Sequence, residues 1–323
     1  MHYLHLYKLS DSQIWDAFVR SSRNATFLFE RAYMDYHADR FCDVSLLVHD
    51  EKQHLCALFP ATWHQEEMEI RSHGGLTYGG LLLNKSVGVL ESCDILLEIV
   101  KFYRDNFQAQ RMLVNPVPSI YHETAAEDQL FALHYIEAQL FRRYISTSVA
   151  LDRKIELSTN RKRQIKKALQ HGFSVKQNSD NLIPFWNLLA DTLLERHDAR
   201  PVHTYQELKL LTTRFPRNIS LHTVEDSQGN LVGGTLLFHT RRVIHAQYIA
   251  ASPIGRKYGA LDLLFSTLFE ELQGIPSSVR PRFFDFGTSM ENDGTVINKG
   301  LVAQKESFGG HTICYDKYIV QLS

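Results

Sequence analysis

The sequence predicts an α/β (α+β) fold with two lobes, each a mixed, mostly antiparallel sheet flanked by helices. Its 323 residues exceed one ordinary domain and suit two lobes of about 150 residues each. A repeat supports this division, because the segment DVSLLVHDEKQHLCALFPATW from Asp43 is similar in pattern to NISLHTVEDSQGNLVGGTLLF from Asn218. Helical apolar stripes, such as the one from Leu261 to Leu272, accompany these alternating segments.

The composition predicts a well-packed core and excludes several classes of protein. Hydrophobic residues make up 44% and charged residues 22%, so extensive disorder is not expected. The 35 basic and 36 acidic side chains give no overall attraction to nucleic acid or anionic membranes. The N-terminal segment lacks a signal-peptide pattern, and no stretch reaches the ~18 apolar residues of a membrane span. The expected location is cytoplasmic.

Cysteine and histidine spacing predicts no metal site. The four cysteines, Cys42, Cys56, Cys93 and Cys314, are scattered without a CxxC pair, which favours reduced and buried thiols. None of the sixteen histidines falls in an HExxH or comparable ligand pattern, so we interpret them as solvated or packed side chains.

The first lobe is predicted to cover residues 1–150. Apolar residues at helical spacing indicate its helices, and β-branched or alternating segments indicate its strands. Its predicted elements are helices over 12–40, a hairpin over 43–63, a strand from Glu67, a helix over 89–102, a short strand over 111–121, a helix from a capping box at Thr124 to His134, and a strand over 143–152.

A basic linker helix is predicted within residues 151–180. Ten Lys or Arg and only two acidic residues lie between Arg142 and Lys176. Ser158 or Thr159 can cap the helix, and Gly172 can end it. The basic face is either simply solvated or a surface for phosphate groups. Its members are Arg161, Lys162, Arg163, Lys166 and Lys167.

The second lobe is predicted to cover residues 181–323 and to repeat the pattern of the first. Its predicted elements are a helix over 182–194, a helix from a capping box at Thr204, three antiparallel strands over 219–251, a glycine-containing turn, a helix over 261–272 and a strand over 283–286. The repeat extends to the turns, since Tyr78-Gly79-Gly80-Leu81 matches Tyr258-Gly259-Ala260-Leu261 before a helix in each lobe.

The C-terminal region carries the most informative motif. The apolar run Phe283 to Phe286 contains Asp285 and stops at Gly287, as a buried strand that ends at a site would do. A loop is predicted over 289–298, followed by Lys305 and then Phe308-Gly309. These residues resemble the FemAB-like branch of the GNAT acyltransferase superfamily, which carries a D-F-G or similar strand end and then a Lys followed by Phe-Gly. The resemblance covers most of the chain and implies a tandem GNAT architecture.

The resemblance also implies a site for acyl-CoA, with acetyl-CoA as an example, at the turn after the central strand of the second lobe. The residues of this candidate site are Arg256, Lys257, Tyr258, Gly259 and Ala260. A helix N-terminus suits the pyrophosphate, because its backbone N–H groups and its dipole favour an anion. Leu261 departs from the family pattern, which has a small residue at this position.

Acyl transfer to an amine requires a neutral amine and a donor or cation near the tetrahedral oxyanion. By resemblance, Lys305 is the candidate for this cation or for a clamp on a substrate phosphate; the alternative is a surface lysine. Asp285 and Glu291 are both candidates to accept the proton of the amine, and their spacing does not choose between them. Tyr248 is a candidate acid or substrate contact, although an aromatic residue on a strand is more often part of the core.

The predicted function is N-acyl transfer from an activated donor, acyl-CoA in the first instance, to a small-molecule, amino-sugar or peptide acceptor. The alternatives are an aminoacyl-tRNA-dependent peptidyltransferase of cell-wall precursor synthesis and a non-catalytic GNAT pair. For the tRNA alternative, Arg161, Arg163 and Lys166 are candidate phosphate contacts. Tyr78 and Gly79 are predicted to shape a substrate surface in the first lobe. The expected partner is a small-molecule or peptidoglycan-type acceptor, with tRNA as a further candidate, and the oligomeric state is left open.

Overall fold

The computed structural model describes residues 2–72 and 74–322. The chain forms two compact units, the first made of residues 1–145 and 314–323 and the second of residues 146–313. The units differ from the predicted lobes in three respects. Residues 146–150 belong to the second unit, the basic helix lies inside that unit instead of forming a linker, and the C-terminal residues from Cys314 onward belong to the first unit.

The elements follow the chain in this order. Residues up to 150 form β1 (Tyr3–Leu6), α1 (Ser12–Ser21), α2 (Arg31–Met34), β2 (Cys42–Asp43), β3 (Leu46–His49), β4 (Leu55–Phe59), β5 (Thr62–His64), β6 (Glu69–Arg71), β7 (Leu82–Leu83), α3 (Val89–Phe107), β8 (Arg111–Val114), α4 (Asp128–Tyr135) and β9 (Gln139–Ala150). Later residues form α5 (Thr159–Gln170), β10 (Ser174–Lys176), α6 (Leu182–His197), α7 (Tyr205–Arg214), β11 (Ile219–Glu225), β12 (Leu231–His239), β13 (Val243–Ala251), α8 (Pro253–Tyr258), α9 (Ala260–Gly274), β14 (Phe283–Thr288), β15 (Met290–Glu291), β16 (Val296–Ile297), α10 (Lys299–Glu306) and β17 (His311–Gln321).

The first unit contains two sets of paired strands. Strands β1, β3, β4 and β7 pair in that order and are antiparallel. Strands β2, β5, β6 and β8 pair in that order with the end of β17; β6 and β8 are parallel. Helix α3 contributes Ile95, Leu96, Ile99 and Tyr103 to the core. The hydroxyl of the fully buried Tyr103 donates to the Val44 carbonyl at 2.8 Å, so a polar group in this core has a partner.

The second unit is built on strands in the order β10, β11, β12, β13, β14 and then residues 146–150 of β9. The pair β13 and β14 is parallel, and the other neighbours are antiparallel. A parallel pair needs a crossover connection, which α8 and α9 supply. The core includes rings from α9, β14 and the segment after α10, with edge contacts typical of aromatic clusters: Phe265, Phe269, Phe284, Phe286 and Phe308. The predicted fold class, mixed α/β with largely antiparallel sheets flanked by helices, is confirmed.

Two of the predicted helix caps form as expected. The Ser158 hydroxyl accepts a hydrogen bond from the Arg161 N–H at the start of α5. Thr204 and Glu207 form the reciprocal capping box of α7. The box predicted at Thr124 is wrong, because α4 begins only at Asp128 and its N-terminus has no side-chain cap hydrogen bond.

The region after Gly287 is more ordered than a loop. Residues 289–298, predicted to be a loop, include the short hairpin of β15 and β16. Lys305 lies on helix α10, which the sequence pattern did not indicate. This helix has few apolar side chains, and it lacks the apolar stripe by which the other helices were recognised.

The glycine turns of the repeat do not occupy matching places in the two units. Gly79 and Gly80 come before strand β7, which pairs with β4. Gly259 instead follows strand β13 and separates helices α8 and α9. The repeat therefore does not extend beyond the shared hairpin, and the similarity of the two Tyr-Gly segments is a coincidence of sequence.

Two further predictions about the chain concern thiols and membranes. Cys56 and Cys93 are buried as expected, whereas Cys42 and Cys314 are exposed. Across residues 2–72 and 74–322, the structure has no helix with both the length and the apolar character needed to cross a bilayer. The cytoplasmic location stays a prediction.

Candidate active site

A buried carboxylate lies at the centre of the strand end that the sequence singled out. Asp285 is fully buried on β14. Its Oδ1 accepts hydrogen bonds from the Ser146 hydroxyl at 2.5 Å and from the Gly287 N–H at 3.1 Å. Its Oδ2 accepts one from His245 Nδ1 at 2.9 Å. Because β14 lies between β13 and β9, the neighbouring strands hold both oxygens of this carboxylate.

Lys305 is a buried cation beside this carboxylate. Only 5% of its surface is exposed. Its Nζ donates to the Gly287 and Thr288 carbonyls, both at 2.7 Å. Burial lowers the pKa of Lys305 to about 8, while the charge of Asp285 acts to raise it. Within the described residues, these bonds use two of the three ammonium donors, so the alternative of an ordinary surface lysine does not hold.

Glu291 contributes to the position of the helix that carries Lys305. Its Oε1 accepts a hydrogen bond from Asn298 Nδ2 at 2.6 Å. Asn298 Oδ1 in turn accepts the Leu301 N–H at 2.8 Å and caps α10. Glu291 is exposed, and in the described part of the chain no contact joins it to Lys305 or Asp285.

The predicted donor site forms a turn between the central strand and α9. Ser252 caps α8, and its hydroxyl accepts the Gly255 N–H at 3.1 Å. Gly259 has a φ of +80° and connects α8 to α9. A Cβ at Gly259 would also lie 2.8 Å from the Gln164 carbonyl oxygen of α5. Backbone conformation and close packing therefore both require glycine here.

Basic side chains surround this turn. Arg256 and Lys257 are exposed on α8. The Lys167 ammonium of α5 donates to the Lys257 carbonyl at 2.7 Å and lies 5.1 Å from the centre of the Tyr258 ring. His171 stacks on the same ring at 3.7 Å. The turn thus presents positive charge from two helices, which favours an anionic ligand.

Leu261, the residue that departs from the family pattern, packs against the core. It is partly buried beside the cluster that contains Ala260 and Leu264. Ala260 is fully buried at the first position of α9. Packing against the core accounts for a branched side chain at position 261, and for a small residue at position 260.

The basic face of α5 divides into a structural part and an exposed part. Arg161 donates from Nε to the Ser307 hydroxyl at 2.6 Å and from Nη1 to Asp262 Oδ1 at 2.5 Å, and it lies over the Phe308 ring. Its guanidinium therefore helps to hold α5, α9 and the end of α10 together. Arg163 and Lys166 are exposed, so they remain accessible to an anionic partner.

Tyr248 has a polar partner on β13. Its hydroxyl lies 2.6 Å from His203 Nδ1, and burial raises the pKa of Tyr248. Strand β13 also contains a bulge, because Leu236 faces Tyr248 while Leu237 faces Ala246. The extra residue leaves an interruption in the ladder next to Tyr248, a feature that often occurs beside active sites.

Tyr78 and Gly79 do not shape a surface, contrary to the prediction. Tyr78 is 3% exposed, and its hydroxyl lies 3.1 Å from the Thr26 hydroxyl. The Gly79 N–H donates to the Asn115 carbonyl at 2.6 Å. Both residues are buried inside the first unit, because this segment carries apolar and aromatic contacts such as the one with Tyr121.

Sequence reasoning missed two members of the site, His245 and Ser146. Both contact Asp285 across strand pairs, from positions 40 and 139 residues away in sequence. Neither residue belongs to a local motif. The available signal was the alternating pattern of β13, which identifies His245 as a strand residue. The pairing of that strand with β14 is seen only in the structure.

Comparisons with known proteins agree with this architecture. Residues 157–292 match the family model described as an acetyltransferase (GNAT) domain. No curated protein sequence gives a significant match. Among solved structures, FemX has a TM-score of 0.67 at 13% identity and covers 99% of this chain and 97% of its own. The C-terminal domain of a putative lysylphosphatidylglycerol synthetase from Agrobacterium fabrum gives 0.62 at 11% identity, with 97% and 92% covered. A tandem GNAT protein of the clavulanic acid biosynthesis pathway gives 0.54 at 11%, with 100% and 99% covered.

The family match and the fold agree on the kind of domain that this protein contains. Residues 157–292, which lie within the second unit, match an acetyltransferase (GNAT) domain. The chain as a whole shares its fold with FemX and with the tandem GNAT protein.

Proposed function

We propose that this protein moves an acyl group from acyl-CoA, such as acetyl-CoA, to an amine of a small-molecule, amino-sugar or peptide acceptor. The observation that carries the proposal is the buried ammonium of Lys305, held by two carbonyls beside Asp285. A cation that is desolvated and fixed in place stabilises a developing oxyanion far better than a mobile surface lysine.

In the proposed reaction the amine attacks the thioester carbonyl, a C–N bond forms, and the C–S bond breaks. The proton lost by the amine ends on the CoA sulfur, so the products are an amide and free CoA. Lys305 donates its remaining N–H to the oxyanion. We assign Asp285 to orient His245 and Lys305, since its oxygens are already held by protein donors. Tyr248 is the proposed acid: its hydroxyl protonates the leaving sulfur and takes up the proton that the amine loses, so that the tyrosine ends unchanged.

The turn around Gly259 supports CoA as the donor. Arg256, Lys257 and Lys167 place three cations at the start of α9, where a pyrophosphate would also meet the helix dipole. We therefore expect acetyl-CoA to raise the melting temperature, because it binds only the folded state; at a hundredfold excess over Kd the gain is about 2.7 kcal/mol. We expect Lys257→Glu to reduce this rise in melting temperature, and Lys162→Glu, on the exposed face of α5, to leave it unchanged.

Activity tests Lys305 directly. Lys305→Met is expected to reduce turnover by about 10²–10³-fold, the loss seen when an oxyanion donor is removed. Lys299→Met changes an exposed lysine of the same helix and is the matched control. Full activity of Lys305→Met under conditions in which the wild type works would remove the assignment.

A second candidate function is favoured by the exposed basic residues of α5. Lys162, Arg163 and Lys166 form a basic patch that can contact the phosphates of a charged tRNA. In this reading the acceptor is a cell-wall precursor or, as the name of the Agrobacterium relative suggests, a lipid headgroup. A stability shift with charged tRNA that falls steeply with salt, together with no shift from any acyl-CoA, would replace the first proposal with this one.

A further inference from the structure

Three potential metal ligands that are far apart in sequence meet in the first unit. His2 precedes β1, Cys56 lies on β4, and Glu91 lies in the first turn of α3. One ligand atom of each residue lies within 4.8 Å of the others. The His2 and Cys56 side chains are almost wholly buried, and Glu91 is partly exposed. Local spacing could not reveal this group, because three separate elements supply it.

The separation of the His2 and Glu91 ligand atoms suits zinc. His2 Nε2 lies 3.5 Å from Glu91 Oε1. Two such ligands bound to one tetrahedral zinc ion at 2.0–2.1 Å would lie about 3.4 Å apart. Thiolate, imidazole and carboxylate are also the three side-chain types that zinc accepts.

A fourth side chain orients the imidazole. Glu98, two turns beyond Glu91 on α3, accepts a hydrogen bond from His2 Nδ1 at 3.0 Å. Its other oxygen accepts the His2 backbone N–H at 3.3 Å. A carboxylate on one imidazole nitrogen fixes the tautomer that leaves the other nitrogen, here Nε2, as an acceptor toward the metal. This arrangement is the usual outer shell of a histidine ligand to zinc.

The charges of the group also favour a divalent cation. Glu91 and Glu98 bring two negative charges to a single imidazole. The Cys56 thiol is buried and donates to the Val48 carbonyl. A bound cation supplies the missing positive charge and displaces the thiol proton. Without a metal, direct contacts of His2 with Glu91 and Glu98 are the competing arrangement.

We propose that His2, Cys56 and Glu91 bind one zinc ion in the first unit, with Glu98 orienting His2 and water completing the coordination. The site is separate from the acyl-transfer site and links the strand that starts at Tyr3 to α3 and β4. Its test therefore does not depend on the proposed activity.

Cobalt(II) titration of the full-length, chelator-treated protein under reducing conditions tests the proposal. Cobalt is a spectroscopic substitute for zinc, and thiolate ligation gives a charge-transfer absorption band. We expect this band to saturate at one equivalent and to disappear when zinc is added. Cys56→Ser abolishes the band, and Cys93→Ser, which removes the other buried thiol, keeps it. Glu98→Gln keeps the band but weakens metal affinity by about 10–100-fold.

Glu91→Gln is a second ligand variant, and it tests the site even if Cys56→Ser fails to fold, because Glu91 is partly exposed. We expect it to weaken binding while the circular dichroism spectrum stays unchanged. No band in the wild type would overturn the proposal and favour the His2 salt bridges. A band that persists in Cys56→Ser would also overturn it, since the exposed Cys42 or Cys314 would then be the ligand.

Discussion

Replacing Lys305 by methionine makes the burial of its charge measurable. The pKa of Lys305 falls from 10.5 to about 8 in the folded protein. Between these values the unfolded chain binds more protons than the folded one, so wild-type stability rises with pH over this window. A difference of this size between the folded and unfolded pKa corresponds to about 3 kcal/mol. Methionine has a similar length and no charge, so this rise in stability with pH is absent from the Lys305→Met variant.

Near pH 7 the two proteins should differ little. Methionine removes the unfavourable burial of a charge, but it also leaves the Gly287 and Thr288 carbonyls without a donor, at about 1–3 kcal/mol each. Above pH 8 the neutral lysine still donates to both carbonyls without that burial penalty. The difference in unfolding free energy between wild type and Lys305→Met should therefore grow in favour of the wild type by about 2–3 kcal/mol from pH 7 to pH 10.

Urea unfolding at pH 7, 8, 9 and 10 measures this difference. Lys299→Met, an exposed lysine on the same helix, is the control, and its difference from the wild type should stay constant with pH. Other titrating groups occur in all three proteins and cancel in the comparison. A wild-type advantage over Lys305→Met that does not change with pH would refute the lowered pKa and, with it, the reading of Lys305 as a desolvated cation.

Two further predictions concern the same unit. Asp285→Asn removes the charge that raises the pKa of Lys305, so the stability gain should begin below pH 8 in the same urea series; an unchanged onset would show that the two groups do not interact. Gly255→Ala should destabilise by about 1–3 kcal/mol, because a Cβ there would lie 1.9 Å from the Val232 carbonyl oxygen. Gly274→Ala, where a Cβ meets nothing within 4 Å, is its control, and equal unfolding midpoints for the two would contradict the packing argument.

Elements whose structure depends on a local sequence pattern could be predicted from the sequence. The strands β11 to β13 follow from alternation and from the turn at residues 226–230, where Asp226 binds backbone N–H groups. The cap at Ser158 follows from its own side chain. Lys305 could be selected because the resemblance supplied its context, although the helix that carries it could not.

The rest of the site depends on contacts that sequence order hides. Ser146 reaches Asp285 only because β9 pairs antiparallel with β14. Arg161 was predicted to face a partner, yet Asp262 and Ser307 come from distant segments to bind it. A charged side chain on a basic helix gives no local sign of whether such partners exist. Strand pairing and helix packing thus decided the roles that periodicity left open.

The position of the last strand has a consequence for how the protein is made. Strand β8 pairs with residues 318–321, and the whole second unit is encoded between β8 and these residues. A ribosome adding about 5–20 residues per second reaches those partners roughly 10–40 s after β8. The second unit can therefore be complete while β8 still lacks its neighbour on one side. During that interval the nascent first unit presents an unpaired strand edge, the kind of edge that can pair with another chain.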